Sequence, residues 1–166
     1  MRPEILFPLF APVSTLKGVG PRVEPLVEKL AGPLVRDMAF LKPHSIVRRT
    51  PSSIAAAIEG EVHTFEVTIE AYAKPRSNQQ PWRVRCSDAT GTLSLVYFGS
   101  VGTSLEVRNP VGQRRIVSGK VERYGADLQM VHPDYLVAPD KADTIPELEP
   151  IYPASAGLAP RIVRRL

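Results

Sequence analysis

The feature that most constrains this chain is a change in the spacing of its apolar residues after Gly60. Before that point, apolar side chains recur roughly every 3.6 residues, which is typical of helices, and beyond it they alternate with polar ones. Residues 65–72, 82–87 and 93–98 each alternate in this way, as half-buried strands do. The turn Asp88–Gly91 joins the second of these segments to the third as a hairpin. The sequence therefore predicts a meander of three antiparallel strands.

Two further strands are expected after a longer connection. Residues 99–112 are partly polar and contain glycine, residues 114–123 predict a fourth strand, and residues 128–137 predict a fifth. The 17 prolines and 11 glycines favour short strands over a helical bundle. Five strands with a longer segment between the third and fourth match the small Greek-key OB barrel. The expected fold class is thus mainly β, with a five-stranded Greek-key OB barrel preceded by a small helical segment.

The N-terminal region predicts short helices. Apolar residues recur at helical spacing over 23–30, where Pro25 requires either a kink or a late helix start. A second helix fits 34–41 and a third segment fits 52–58. The helical segment therefore precedes the barrel and is built from brief elements.

Three parts are expected along the chain. Residues 1–59 form the helical segment with a turn resembling a helix-hairpin-helix, and residues 60–138 form the barrel. Residues 139–166 are proline-rich and acidic at first, which indicates a linker, and an amphipathic basic helix begins at Gly157. This helix stops at the chain end, which suggests a fragment of something longer.

Composition excludes several classes of protein. Cys86 is the only cysteine, so no intrachain disulfide forms and a cytoplasmic location is expected. One thiol and three scattered histidines, His44, His63 and His132, give no zinc spacing. Prolines interrupt the N-terminal apolar run, and no run approaches the roughly 20 residues needed to span a bilayer. The formal charge of +4 is spread along the chain and allows an anionic partner without requiring one.

No catalytic motif is found in the sequence. Gly119 and Lys120 resemble a phosphate-binding loop, but that motif needs glycine where Arg114 stands and serine or threonine where Val121 stands. No nucleophile–base pair, paired acid or metal cluster stands out. We therefore expect the chain itself to be non-catalytic, with neither cofactor nor metal.

Phe98 is the main candidate for contact with a nucleic acid. It lies at the outward parity of its strand, next to a glycine, so its ring is expected near a loop mouth. An exposed ring there suits stacking on an unpaired base, and the alternative is packing beneath the loop. Tyr97 has the opposite parity and is expected in the core, as are Trp82 and Cys86 on the preceding strand.

Basic side chains provide candidate contacts to phosphates in two clusters. The first, around the second strand, consists of Lys74, Arg76, Arg83 and Arg85. The second, on the later strands, consists of Arg114, Arg115, Lys120 and Arg123. The alternative is a solvated charged face, because four carboxylates share the barrel: Glu66, Glu70, Glu122 and Asp134.

The glycine turn at Lys17–Pro21 is a third candidate. Gly18 and Gly20 leave backbone amides exposed at the start of a helix, where a DNA phosphate can be held. The alternative is a plain glycine turn that caps the helix.

Several motifs together resemble one family. They are Leu16-Lys17-Gly18-Val19-Gly20-Pro21, Val35-Arg36-Asp37 to Leu41-Lys42-Pro43, Ser87-Asp88-Ala89-Thr90-Gly91-Thr92-Leu93, Ser118-Gly119-Lys120-Val121, Leu128-Gln129-Met130-Val131-His132-Pro133-Asp134-Tyr135, and Glu149-Pro150-Ile151-Tyr152-Pro153 with Gly157-Leu158. As a set they resemble the N-terminal part of the RecG branched-DNA helicases, and the resemblance covers nearly the whole chain.

The resemblance implies a wedge domain acting in recombination and repair. Such a domain binds the branch point of stalled replication forks and Holliday junctions and separates the strands, while a motor that uses ATP and Mg lies after residue 166. The resemblance places Tyr97 and Phe98 at the positions of the family's aromatic pair at the junction. A further aromatic often follows in the family, where this chain has Ser100 and Val101, so stacking is expected to rest on Phe98.

The expected partners are branched DNA and, as a further candidate, a single-stranded-DNA-binding protein, with the chain as a monomer. The main alternative is an OB module that binds a protein or RNA partner and uses the Phe98 surface as an apolar hot spot.

Overall fold

The structure is a computed structural model that describes residues 3–77, 79–99, 102–153, 158 and 160–163. The strands are β1 (Ser45–Arg48), β2 (Val62–Ala73), β3 (Trp82–Ser87), β4 (Thr92–Tyr97), β5 (Arg114–Lys120), β6 (Glu122–Tyr124), β7 (Asp127–Val131), β8 (Tyr135–Val137) and β9 (Leu148–Ile151). The α-helices are α1 (Glu24–Leu30), α2 (Val35–Ala39), α3 (Gly102–Arg108) and α4 (Pro160–Val163). Short 3-10 helices span Glu4–Phe10, Val13–Thr15, Ile54–Ala56 and Pro139–Thr144.

The chain divides into two compact units. The larger unit is Arg48–Leu148, and the smaller unit combines Met1–Val47 with Glu149–Leu166. This division differs from the three parts expected from the sequence, because residues 48–59 and 139–148 belong to the larger unit. The segment expected to be a linker contains a 3-10 helix and strand β9.

The larger unit has the connectivity of the expected OB barrel. Its strands are hydrogen-bonded in the order β6-β7-β4-β3-β2-β5-β8. Strands β2, β3 and β4 form the antiparallel meander, β2 also pairs antiparallel with β5, and β4 pairs parallel with β7. Helix α3 occupies the longer connection between β4 and β5. This is the OB arrangement inferred from the alternating pattern.

The alternation of side chains along each strand determines which residues form the barrel core. The most deeply buried members include Phe65, Ile69, Val84, Cys86, Leu93, Leu95, Val117 and Met130. Trp82 packs partly buried against this core, and Tyr97 belongs to it, as their parity predicts. Burial raises the pKa of the Cys86 thiol to about 12 and also raises the pKa of Tyr97. The expected core positions of all three residues are confirmed.

Two of the expected strands are interrupted. The fourth breaks at Val121, which separates β5 from β6, and the fifth breaks between β7 and β8. At the second break His132 has a φ of 46°, which makes it the one non-glycine residue with positive φ in the described part of the chain. Pro133 follows and offers no N–H to a strand ladder. The prediction of one continuous strand over 128–137 is therefore wrong.

The smaller unit has its own apolar core, formed by Val13, Val19, Val27, Leu158 and Val163. Helix α1 begins late, with Pro25 in its first turn, where a missing N–H costs nothing. Helix α2 is shorter than the expected 34–41, and β1 pairs with β9 although the sequence predicted no strand at either place.

Of the basic helix expected from Gly157, only Leu158 and α4 lie within the described residues. In the described part of the chain, no helix combines the length and apolar character needed to cross a membrane.

Candidate nucleic-acid interface

Phe98 lies directly after the last residue of β4, on the outer face of the sheet. Tyr97 turns into the core, so Phe98 faces the other way and is 51% exposed. Gly99 follows with a φ of 83°, a left-handed conformation that glycine adopts without strain. Ser100 and Val101, the positions where the resemblance lacks an aromatic, lie outside the described residues. The ring of Phe98 is thus presented at the point where the strand ends.

His132 holds the backbone on which Phe98 sits. The backbone N–H of Phe98 donates to Nε2 of His132 at 3.2 Å, and the N–H of His132 donates to the carbonyl oxygen of Val96 at 2.9 Å. The imidazole ring centroid lies 5.9 Å from that of Phe98 and 5.8 Å from that of Tyr97, edge-on to the latter. Because Nε2 accepts a hydrogen bond, the ring makes this contact only in its neutral form.

Sequence reasoning missed His132 because that residue lay inside a predicted strand. Its left-handed backbone turns the chain so that the imidazole faces β4. The signal available was the dipeptide His132–Pro133, since proline within an apparent inner strand argues for a break.

Most of the first basic cluster has no acidic partner in the described residues, and neither has Lys120 of the second cluster. Arg83 and Arg85 project outward from β3, because Val84 and Cys86 between and beside them turn inward. Across the described ranges, no carboxylate forms an ion pair with any of four candidates: Arg76, Arg83, Arg85 and Lys120. Their charges are therefore available to an anionic ligand.

Three other candidates form surface ion pairs. Lys74 Nζ lies 3.0 Å from Glu106, Arg123 Nε lies 3.9 Å from Glu59, and Arg114 pairs with Glu66. Exposed pairs of this kind contribute at most about 1 kcal/mol, so a phosphate can compete with them.

Three of the four carboxylates predicted to lie on the barrel have partners other than the arginines of β3. Glu66 pairs with Arg114, Asp134 lies 2.8 Å from the buried Arg49, and Glu70 accepts a hydrogen bond from the Ser87 hydroxyl. None of these contacts neutralises the outward arginines of β3.

Arg115 is a correction to the second cluster. It is only 9% exposed, because its strand parity matches that of the core residue Val117. Its Nε donates to Oδ1 of Asn109 at 2.8 Å, and its terminal nitrogen donates to the carbonyl oxygen of Arg108 at 2.9 Å. Arg115 thus ties the end of α3 to β5, and a role as a surface contact for phosphate is wrong.

Tyr97 is also a buried residue and not a surface one. It is 7% exposed and belongs to the barrel core, so its ring offers no face to a ligand. Of the aromatic pair singled out by the resemblance, only Phe98 is presented outward.

The glycine turn has the expected local shape. Gly18 has a φ of 98°, and the exposed Lys17, Gly18 and Gly20 surround the buried Val19. The carbonyl oxygen of Gly20 accepts the N–H of Val23 at 2.8 Å, at the start of α1. This geometry fits both a helix cap and an anion contact, so the role of the turn stays a prediction.

Tyr124 is a second residue that sequence reasoning missed. It follows the predicted fourth strand (114–123), but in the structure it ends β6 with its ring 67% exposed. The guanidinium carbon of Arg83 lies 5.5 Å from the ring centroid. A tyrosine beside a glycine turn was the available signal, but no local pattern pairs it with β3.

Comparison with known proteins supports the resemblance. No protein-family model matches the chain. It is 28% identical over 155 residues to the ATP-dependent DNA helicase RecG of Acidithiobacillus ferridurans, covering 92% of this chain and 22% of that protein. It is 26% identical over 169 residues to RecG of Escherichia coli K12, covering 93% of this chain and 23% of that protein.

A solved structure of RecG bound to a three-way DNA junction matches the fold with a TM-score of 0.75 at 20% identity, over 95% of this chain and 22% of that one. The chain spans about a fifth of the length of the curated relatives it matches. The expected resemblance to the RecG helicases and the expected fold are confirmed.

Proposed function

We propose that this chain, which is related to the RecG helicases along nearly its whole length, is the wedge part of such a helicase. In this role it binds branched DNA, such as stalled replication forks and Holliday junctions, and separates the strands at the branch point. The observation that carries the proposal is the exposed Phe98 at the end of β4, on the same barrel face as the arginines of β3 that have no acidic partner.

The arginines supply affinity without reading sequence. Arg83 and Arg85 project from neighbouring outward positions of β3, at a spacing that lets each meet a different phosphate. Contacts to the phosphate backbone release counterions and depend on salt but not on base identity. The binding is therefore expected to depend on the shape of the DNA.

Phe98 supplies the preference for a branch. A base within duplex DNA is already stacked on both faces, whereas a base at a branch point exposes one of them. Stacking on an aromatic side chain stabilises such a base by about 1–3 kcal/mol. With the Phe98 backbone held by its hydrogen bond to His132, the ring would occupy the position that the departing base pair leaves.

ATP-driven movement is assigned to a part of the helicase outside this chain. The relatives are ATP-dependent helicases about four to five times as long, and the sequence here contains no phosphate-binding loop. ATP and Mg would act in that other part, while the wedge itself works without a cofactor. A single-stranded-DNA-binding protein as partner and a monomeric state are further expectations from the resemblance.

The deciding experiment compares a labelled three-way fork with a duplex of equal length over a range of salt concentrations. The chain should bind the fork more tightly, and both affinities should fall as salt rises. Equal binding of fork and duplex would remove the wedge function. Tight binding of a protein partner with little dependence on salt would favour the alternative OB interaction module.

A further inference from the structure

The hairpin of β6 and β7 presents an aromatic ring that is already in contact with a cation. Tyr124 is the last residue of β6, and Gly125 after it has a φ of 64°, so the ring stands at the hairpin tip. Arg83 lies over this ring although β3 and β6 are separated in the sheet by β7 and β4. The contact therefore spans the outer face of the two strands between them.

We propose that Tyr124 and Arg83 form a second contact for an unpaired DNA strand, separate from Phe98. One strand leaving the branch would pass from Phe98 across the outer face of the barrel and stack a base on Tyr124. This inference rests on the proposed function, because it assumes that Phe98 meets the branch point.

The ladder register gives the spacing between the two contacts. Arg83 is paired with Val96, and Val96 precedes Phe98 by two residues on the same face of β4. A spacing of about 4.8 Å between strands and a rise of about 3.3 Å per residue put the Cα atoms of Arg83 and Phe98 roughly 8 Å apart. Tyr124 is paired with Asp127, four residues before Val131, the partner of Val96, so Tyr124 lies two strands over and about six residues along the sheet from Phe98. An unpaired strand that joins the two contacts therefore needs several nucleotides between them.

Val131 adds an exposed apolar side chain beside Val96 on this face of the sheet. Val96 points away from the barrel core, yet it is only 2% exposed, and it is paired with Val131 on β7. Arg83 flanks Val96 on the opposite side. Val96 is therefore covered, and the apolar side chain open to a ligand there is Val131, which is 36% exposed. The Tyr124 ring and the Arg83 guanidinium can both stack on the flat face of a base.

The charges near Tyr124 favour a base over a phosphate at the ring itself. Glu122 precedes Tyr124 on β6, and Asp127 is its ladder partner on β7. These carboxylates repel phosphate on the hairpin side of the ring, while the Arg83 guanidinium over the ring and Arg85 attract it on the side that faces β3. The face is therefore polarised across its width, with the base side at the hairpin and the backbone side at β3.

The test uses photocrosslinking and binding with the 166-residue chain. The DNA is a fork with a short unpaired stretch at the branch that carries 5-iododeoxyuridine, and the controls are a fully paired junction and a duplex. We expect a crosslink to Tyr124 on the gapped fork, located by mass spectrometry of the digested adduct.

Matched variants give the second readout. Tyr124→Ala should weaken binding of the gapped fork roughly tenfold, while Tyr124→Phe, which keeps the ring, should bind like the unsubstituted chain. Phe40→Ala removes a 79% exposed ring of the smaller unit and should change nothing. Arg83→Lys should keep the salt dependence of binding but lose part of the affinity for the gapped fork, because lysine retains the charge and not the planar group.

The outcomes separate this inference from the proposed function. If Phe98→Ala weakens fork binding while Tyr124→Ala does not and no crosslink forms, the second contact is wrong and the wedge stands. If the unsubstituted chain shows no preference for the fork, the wedge function itself fails. A loss of several degrees in the melting temperature of Tyr124→Ala, with all DNA affected equally, would overturn the inference by making Tyr124 a packing residue.

Discussion

The two basic clusters of the barrel have similar compositions but different environments. On β3, Arg83 and Arg85 stand outward without an acidic partner in the described residues, whereas on β5 Arg114 is paired with Glu66 and Arg115 is buried. The difference comes from strand parity and from the residues opposite on β2, which neighbours both strands. Glu66 lies in the part of β2 that pairs with β5, whereas Ala71 and Ala73 lie opposite Arg85 and Arg83. A count of basic residues therefore gives little information about a binding face until the direction of each side chain is known.

The largest effect is expected from Arg115→Met, and it should appear in stability. The substitution leaves Oδ1 of Asn109 and the carbonyl oxygen of Arg108 buried without their donor, which costs about 2–3 kcal/mol. The melting temperature should fall by roughly 5–10 °C, as measured by circular dichroism. The folded fraction should bind DNA as before. If instead stability is unchanged and DNA affinity drops, the contrast between the two clusters is broken.

Phe98→Ala should act on fork binding alone. Removing an exposed ring costs about 1–3 kcal/mol of fork affinity and almost no stability, because the ring contributes nothing to the core. Phe98→Trp, which keeps a stacking face, is the matched control and should bind normally. Fluorescence anisotropy with fork and duplex measures both affinities. Equal losses on fork and duplex, together with a lower melting temperature, would make Phe98 a packing residue.

Replacing Arg83 and Arg85 together with alanine should flatten the salt dependence for fork and duplex alike. The slope of log affinity against log salt should fall by about one unit for each phosphate contact removed. Arg114→Ala with Arg123→Ala removes the same charge from paired positions and should change the slope less. Identical slopes for the two double variants would mean that the ion pairs do not distinguish the clusters.

The smallest effect is expected from His132, where two variants of similar size separate hydrogen bonding from packing. His132→Gln retains an acceptor for the N–H of Phe98, whereas His132→Met does not. Fork affinity should fall by about 0.5–1.5 kcal/mol more for methionine than for glutamine, with duplex affinity equal in both. In a Phe98→Ala background the difference should vanish. A difference that persists there would show that His132 acts independently of Phe98.

The alternation of apolar and polar residues correctly predicted those strands whose burial pattern can be read from a single segment. Strands β2, β3 and β4 and the inward positions of Trp82 and Cys86 follow from alternation along single segments. The same rule applied to β5 would have placed Arg115 on the inward side, since it shares parity with Val117. The error arose because Arg115 was grouped with the other basic residues before the direction of its side chain was considered.

The missed features depend on contacts between distant segments. Strands β1 and β9 are four residues each and pair with one another across about a hundred positions of sequence. The contact between Tyr124 and Arg83 joins strands that are not neighbours in the sheet. Neither leaves a periodic signal in the sequence, because periodicity reports only which side of one segment is buried.

The hydrogen bond between Phe98 and His132 also has a consequence for how the protein folds during synthesis. It joins residues 34 positions apart, and the same segment brings β7 alongside β4. On the ribosome, β4 emerges with one edge unpaired. Phe98 at its end has no hydrogen bond to His132 until that residue has been synthesised. Such an edge is a template for association with other chains, and non-local parallel pairing is among the slower steps of folding. Aggregation should therefore be most frequent in the interval after β4 has been synthesised and before His132 has been added.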